Sequence, residues 1–389
     1  MNSGVCSPRD GSWGVAERVV ITKNNDSLGQ IYHYFPAWSD YEGYSVIEAR
    51  RADCNFQFAY QMLLAYEIFD DEKYYKIAEN ILHYLYHRSG MLNRSDKEYP
   101  DAVWNWSHIT WHKPLIYFDD NAWACTIQLL IARKYPALDK KFGMKDFAVR
   151  LADELLIAFN RTYGNVVPED KNNWLDPERV WAGRLDLPHW GSLACMALAN
   201  AYAESRNRKF LEAAKRYHKY LLLNKDRYNN SEKCYALIGA EWSDKYFDDK
   251  IFKELIMHFA QAVSNAIDTK IGSISAEHYE SPNGKFLLDL IYTVNWALLG
   301  LQSARFFMDI SSFESKYFRL LNLVVSIQDR SKEKHFRGCW RGMYDLERKE
   351  WGGGNCHEGG ANSIYTGWTN IPISWVLSFE LKNKSMIEY

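Results

Sequence analysis

Residues 65–85 read AYEIFDDEKYYKIAENILHYL, and residues 201–221 read AYAESRNRKFLEAAKRYHKYL. Shifted by 136 positions and without a gap, Ala65 falls on Ala201, Tyr66 on Tyr202 and Lys73 on Lys209. Ala78 falls on Ala214, and Tyr84-Leu85 on Tyr220-Leu221. Each segment ends one helix, turns through polar residues and starts another. Looser copies lie at 144–156 (MKDFAVRLADELL), 246–263 (YFDDKIFKELIMHFAQAV) and 304–325 (ARFFMDISSFESKYFRLLNLVV). The shift therefore covers two units of roughly 68 residues, and the chain holds about six of them.

Each unit reads as a helical hairpin. Its first helix is small and aromatic all round, as in 189–204 (HWGSLACMALANAYAE), which suits burial on every side. Its second carries apolar residues at i, i+3, i+4 and i+7 with charges opposite, as in 208–222, which suits a surface layer. Six such hairpins predict an all-α double ring, an (α/α)6 barrel. An open solenoid would show uniformly short loops, whereas long irregular ones precede several inner helices here, at 88–118, 160–187 and 329–359. In a closed ring those loops gather at one end, where function usually sits. The last inner helix is 361–382 (ANSIYTGWTNIPISWVLSFELK). About eleven helices are clear, so the twelfth is N-terminal, very short or missing. No linker rich in Pro, Gly or Ser interrupts the pattern, which gives one domain over 1–389 with an irregular segment at 1–45.

The formal net charge is −2 and the basic residues form no long block, which argues against a nucleic-acid groove or an anionic membrane surface as partner. Fifteen Trp and 26 Tyr exceed what a helical core needs, because aliphatic side chains fill cores with no polar tip to satisfy. The surplus suits a cleft that stacks on flat apolar faces, as sugar rings offer. Seven Cys without a CxxC pair indicate neither a structural zinc site nor a disulfide framework. Cys125 and Cys195 read as buried thiols of a reducing compartment. Residues 1–12 lack an apolar signal region and no stretch is apolar enough to span a membrane. The expected location is cytoplasmic, or periplasmic or secreted if a leader has been removed. Oligomeric state is not readable.

The candidate site residues stand at inner-helix starts. Asp119 and Asp120 lie in 117–123 (YFDDNAW), between aromatics that include Trp123. Adjacent carboxylates repel, which pushes one toward holding its proton, while a helix N-terminus favours the charged form. Asp70-Asp71 and Asp248-Asp249 occupy turns before outer helices, where Asp is an ordinary cap. One hairpin after Asp119-Asp120, the run WAGRLDLPHW (181–190) places Asp186, His189 and Trp190 at the equivalent start; an Asp ahead of a Pro-initiated helix is equally a cap. One hairpin before, Arg50, Arg51 and Asp53 either pair with each other or present guanidinium forks to a carboxylated ligand. Glu241, beside Trp242 in an apolar inner helix, is costly there without a partner or a task. The last loop, WGGGNCHEGGANSIYTGW (351–368), carries Glu358, Tyr365 and Trp368; no Gly-Lys-Ser/Thr follows, so it is not a phosphate loop. His108 and His112 lack a third ligand, so no metal and no cofactor are expected.

With these motifs in place, the chain resembles the six-hairpin glycosidases. In the unsaturated glucuronyl and rhamnogalacturonyl hydrolases an Asp at one inner-helix start is joined by another on the next hairpin. The resemblance puts Asp120 in the first role and Asp186 in the second. The bacterial α-1,6-mannanases carry two consecutive catalytic Asp after aromatics, which Asp119-Asp120 also matches. The tail from 351 to 368 departs from both branches. The resemblance implies a glycoside hydrolase acting on an oligo- or polysaccharide, uronic-acid-containing chains included, with Asp120 as general acid and Asp119 or Asp186 as its partner. A polysaccharide lyase or sugar epimerase using His189, Tyr365 and Arg50-Arg51 is the second reading, and a non-catalytic sugar-binding protein the third.

Overall fold

The computed structural model describes residues 10–20, 38–41, 44–47, 49–94, 100–108, 115–164, 174–278, 284–307, 311–332, 337–352 and 363–388. Six inner helices form its axis: α1 (Ala52–Phe69), α3 (Phe118–Lys134), α6 (Pro188–Ser205), α8 (Asn230–Phe247), α10 (Val294–Phe307) and α12 (Ile371–Lys382). Each packs on the next, and α12 returns to α1, so the ring is closed and the open solenoid is excluded. Around them run α2 (Glu72–His87), α5 (Met144–Tyr163), α7 (Arg208–Asn224), α9 (Lys250–Ala266) and α11 (Ser311–Ser326), with short α4 (Pro136–Phe142) in the turn of the second hairpin. The fold is the all-α (α/α)6 barrel. The sixth hairpin has no outer helix among the described residues.

Burial follows the pattern of the sequence. In α3 every residue from Phe118 to Ala132 is buried, as a helix with neighbours on all sides requires. In α7 the buried set is Phe210, Ala213, Ala214, Tyr217, His218, Tyr220 and Leu221, one apolar stripe against the inner ring. Three hairpin turns repeat a single device. Asp70, Arg206 and Asp248 end inner helices in the left-handed region, at φ of 50°, 57° and 44°. The next residue then caps the outer helix: Asp71, Asn207 and Asp249 accept from the backbone N–H of Lys73, Lys209 and Ile251. Asp70-Asp71 and Arg206-Asn207 are related by the same 136-residue shift as the helices around them.

Within the segment expected to be irregular, β1 (Arg18–Val20) and β2 (Trp38–Tyr41) form strands. They join β3 (Tyr44–Ile47) and the distant β9 (Ser363–Tyr365) in one sheet, ordered β2-β3-β1-β9. This sheet anchors the chain leading into α1 to the chain leading into α12. A parallel pair, β4 (Ile116–Tyr117) with β5 (Trp181–Ala182), does the same for the approaches to α3 and α6. A third sheet joins β6 (Leu287–Asp289), β7 (Met343–Asp345) and β8 (Glu350–Trp351). Among the described residues, no helix is long and apolar enough to cross a membrane.

Candidate active site

Inner helices run the same way round the ring, so their N-termini share one end, and a cavity of about 140 Å³ lies there. Residues at or just before five of the six inner-helix starts line it: Arg51 at α1, Asp119 and Asp120 at α3, His189 and Trp190 at α6, Ile291 and Tyr292 before α10, and Tyr365 and Trp368 before α12. Trp106 and Tyr117 complete the wall from the loop that feeds α3. The sixth start, that of α8, supplies Glu232, whose carboxylate accepts the backbone N–H of His189 at 2.8 Å.

Two charged clusters meet in this cavity. In the first, the Arg51 guanidinium is 2.5 Å from Asp120 Oδ1, 3.3 Å from Asp53 Oδ1 and 3.5 Å from Glu17 Oε1. The Arg51 side chain is 12% exposed, whereas Asp53 and Glu17 are fully buried, so the guanidinium is the group that reaches the cavity. Arg51 also lies 5.4 Å from the centre of the Trp368 ring and 5.5 Å from that of Trp106. Trp368 donates its indole N–H to Asp53 at 3.0 Å, tying the last loop to the first helix. Burial raises the Asp120 carboxyl well above the ordinary aspartate range; Arg51 opposes this, and the nearby Asp53 and Asp119 charges reinforce it. In the second cluster, His189 Nε2 lies 3.0 Å from Asp119 Oδ2. The imidazole is sandwiched between Trp190 (centroids 4.9 Å apart, 6° between planes) and Tyr235 (4.6 Å, 9°), which fixes its plane. Asp119 Oδ1 and Asp120 Oδ2 are buried without a protein hydrogen bond.

The expected residues thus divide. Arg51, Asp119, Asp120, His189, Trp190, Tyr365 and Trp368 line the cavity, with Asp53 directly behind it. Four others stand elsewhere. Asp186 is 1% exposed and held by Arg184 at 3.0 Å, with Arg227 at 3.9 Å, because it precedes α6 on the side of that arginine pair. Trp123 sits one turn into α3, fully buried against Trp296 and Trp375, where it packs the ring axis. Glu241 lies nine residues along α8 from Glu232, about 13 Å down the axis at 1.5 Å per residue, and burial raises its carboxyl well above the usual range. Arg50 is buried against the N-terminal segment, its Nε donating to the Trp13 carbonyl at 2.8 Å. His108 Nδ1 accepts the Arg50 backbone N–H, a structural use. Glu358 and His112 lie outside the described residues.

Glu232, His278 and Tyr292 were not singled out by the sequence. Glu232 looks like a first-turn Glu after an Asn cap, and His278 is a lone His in a loop. Each joins the site only through tertiary contact: His278 stacks on Tyr292 at 4.0 Å and lies edge-on to His189 at 6.2 Å.

This architecture is the six-hairpin glycosidase fold. No sequence family and no curated protein matches the chain. Among solved structures it is similar to a cellobiose 2-epimerase from Bacillus thermoamylovorans, at 11% identity over 85% of this chain and 88% of that one, with a TM-score of 0.59. An unsaturated glucuronyl hydrolase from a Bacillus species matches at 13% identity over 92% and 95% of the two chains, with a TM-score of 0.58. An α-1,6-mannanase from a Salegentibacter species matches at 12% identity over 92% and 97%, with a TM-score of 0.54. At these identities the likeness is one of fold.

Proposed function

We propose that this protein is a carbohydrate-active enzyme and, more narrowly, a glycoside hydrolase. One observation carries the reading: two consecutive carboxylates, Asp119 and Asp120, line an aromatic-walled cavity, each with one oxygen held by a neighbour and one without a protein partner. Glycosidic cleavage needs an acid for the leaving oxygen and a carboxylate acting as base or nucleophile. Asp120, whose burial favours the protonated form, takes the acid role. Asp119, oriented through His189, takes the other. Asp186 is set aside as partner because both its oxygens face arginines away from the cavity. Trp106, Trp190, Tyr292 and Trp368 supply faces on which a sugar ring can stack. Because Arg51 already faces three carboxylates, the site favours a neutral sugar over a uronate.

A second reading, epimerisation or isomerisation of a sugar, is favoured by His189 in the cavity wall with Arg51 on the same wall. An imidazole and a guanidinium can serve proton abstraction next to a carbonyl. Screening the protein against plant and microbial glycans separates the two. Hydrolysis yields new reducing ends. Isomerisation leaves chain length unchanged and, in D2O, carries deuterium into the product. Asp119→Asn and Asp120→Asn should each lower hydrolysis by about 10²–10⁴-fold with the fold intact. Undiminished cleavage in both variants overturns the assignment.

A further inference from the structure

Among the described residues, His189, Glu232 and His278 are the group that brings three metal-ligating side chains together, all buried and with one ligand atom of each within 4.8 Å of the others. Three features of their surroundings bear on what this cluster is for. His189 has its Nε2 on the Asp119 carboxylate, which leaves Nδ1 as its ligating atom. A metal-bound histidine characteristically gives its other ring nitrogen to a carboxylate in this way, which fixes its tautomer and strengthens it as a ligand. Glu232 uses Oε2 to take the His189 backbone N–H, while its Oε1 is buried without a hydrogen bond, in a residue only 3% exposed. An unpartnered buried carboxylate oxygen is costly, and a cation offsets that cost. His278 is fully buried and stacked on Tyr292, which fixes the plane of its ring beside the other two ligands.

We propose that His189, Glu232 and His278 form a binding site for a divalent transition-metal ion of the zinc class, set against the wall of the cavity. Two imidazoles and one carboxylate are a ligand set zinc accepts, with bonds of about 2.0–2.2 Å, reached here by small side-chain adjustments. Three protein ligands leave a fourth position for water or a substrate oxygen. Softer thiolate ligands are absent from the cluster, so cuprous ion is disfavoured, and the two nitrogens argue against magnesium or calcium, which prefer oxygen. Asp119 then has a second task, as the carboxylate that orients His189. The proposal stands apart from the hydrolytic reading, because it concerns metal uptake in the absence of any sugar.

The test uses the full chain, stripped with chelator and titrated with Zn²⁺ in a calorimeter. One equivalent should bind with a micromolar or tighter Kd and raise the melting temperature. Co²⁺ in place of Zn²⁺ should give visible d–d bands of a four- or five-coordinate site. Glu232→Gln and His278→Gln should each weaken binding at least tenfold, and Asp119→Asn by about 10–100-fold. If either ligand variant folds poorly, the melting shift of the wild-type chain and the Co²⁺ spectrum decide the matter. Absence of a stoichiometric site in the wild-type chain overturns the proposal, as does uptake that is identical in well-folded Glu232→Gln and His278→Gln. A chain that binds Zn²⁺ yet cleaves no glycan supports this inference while refuting the hydrolytic one.

Discussion

Replacing Arg51 by Met removes the guanidinium shared by Asp120 and Asp53, and leaves these two carboxylates, 0–3% exposed, facing each other without it, while Glu17 keeps Arg18 at 2.5 Å. Breaking a buried ion pair by deleting one partner costs about 3–5 kcal/mol, because the charge left behind has lost both water and counter-ion. Unfolding entropy of about 2.1 cal/mol/K per residue gives about 0.8 kcal/mol per degree for 389 residues, so the melting temperature should fall by about 4–6 °C at pH 8. The pH dependence has a definite sign. Burial raises the Asp120 carboxyl and Arg51 opposes that rise, so without Arg51 its folded pKa lies further above the unfolded one. Its contribution is therefore intact below the unfolded pKa and is lost as pH rises through the folded value. The deficit of Arg51→Met relative to wild type should accordingly shrink between pH 8 and pH 5. Urea denaturation followed by circular dichroism at both pH values measures it, with Arg51→Lys as a control that keeps the charge but not the fork. A deficit under about 0.5 kcal/mol at pH 8, the scatter of ordinary surface changes, would refute the reasoning. So would a deficit that grows as pH falls.

Other perturbations test different parts of the structure. At Gly239 an added Cβ would come 2.5 Å from the backbone oxygen of Ser192, where α8 crosses α6, so Gly239→Ala should cost about 1–3 kcal/mol in denaturant melts; an unchanged midpoint counts against that close approach. His218 is buried in α7 with its Nδ1 bonded to the Ala214 carbonyl, and burial lowers its pKa from 6.5 to about 4. A group held neutral in this way contributes stability that is complete above the unfolded pKa of 6.5 and declines as pH falls from there toward 4, by about 1.4 kcal/mol per pH unit. His218→Gln should flatten the stability profile between pH 6.5 and pH 5 by about that slope, and an identical slope would show that His218 does not titrate as described.

The ring was legible because its determinants are local. A left-handed residue followed by a side-chain cap, as at Asp70-Asp71 and Arg206-Asn207, marks three of the turns, and apolar period separates inner from outer helices. The small sheets were not legible. β1 pairs with β9 across more than 340 positions, and strands of three residues carry too little alternation to announce themselves. The short α4 was hidden for a similar reason, being about two turns between two strong helices.

The site shows what position adds to residue type. The chain holds Asp-Asp three times, and the two pairs at outer-helix turns are spent on capping: Asp71 and Asp249 take backbone N–H groups and sit beside lysines at the surface. Asp119 and Asp120 make no side-chain cap on α3, whose cap residue Tyr117 makes none either. They are thereby available for His189 and Arg51, which arrive from neighbouring hairpins. Asp186 illustrates the opposite case, because the arginines that occupy it, Arg184 and Arg227, are forty-odd residues apart and converge only in the folded ring. Sequence reading could place all these carboxylates at inner-helix starts, yet the identity of the partner decides which of them faces the cavity. That identity belongs to tertiary structure. Replacing His189 should therefore perturb Asp119 while sparing Asp186, although His189 is only three residues from Asp186 and seventy from Asp119.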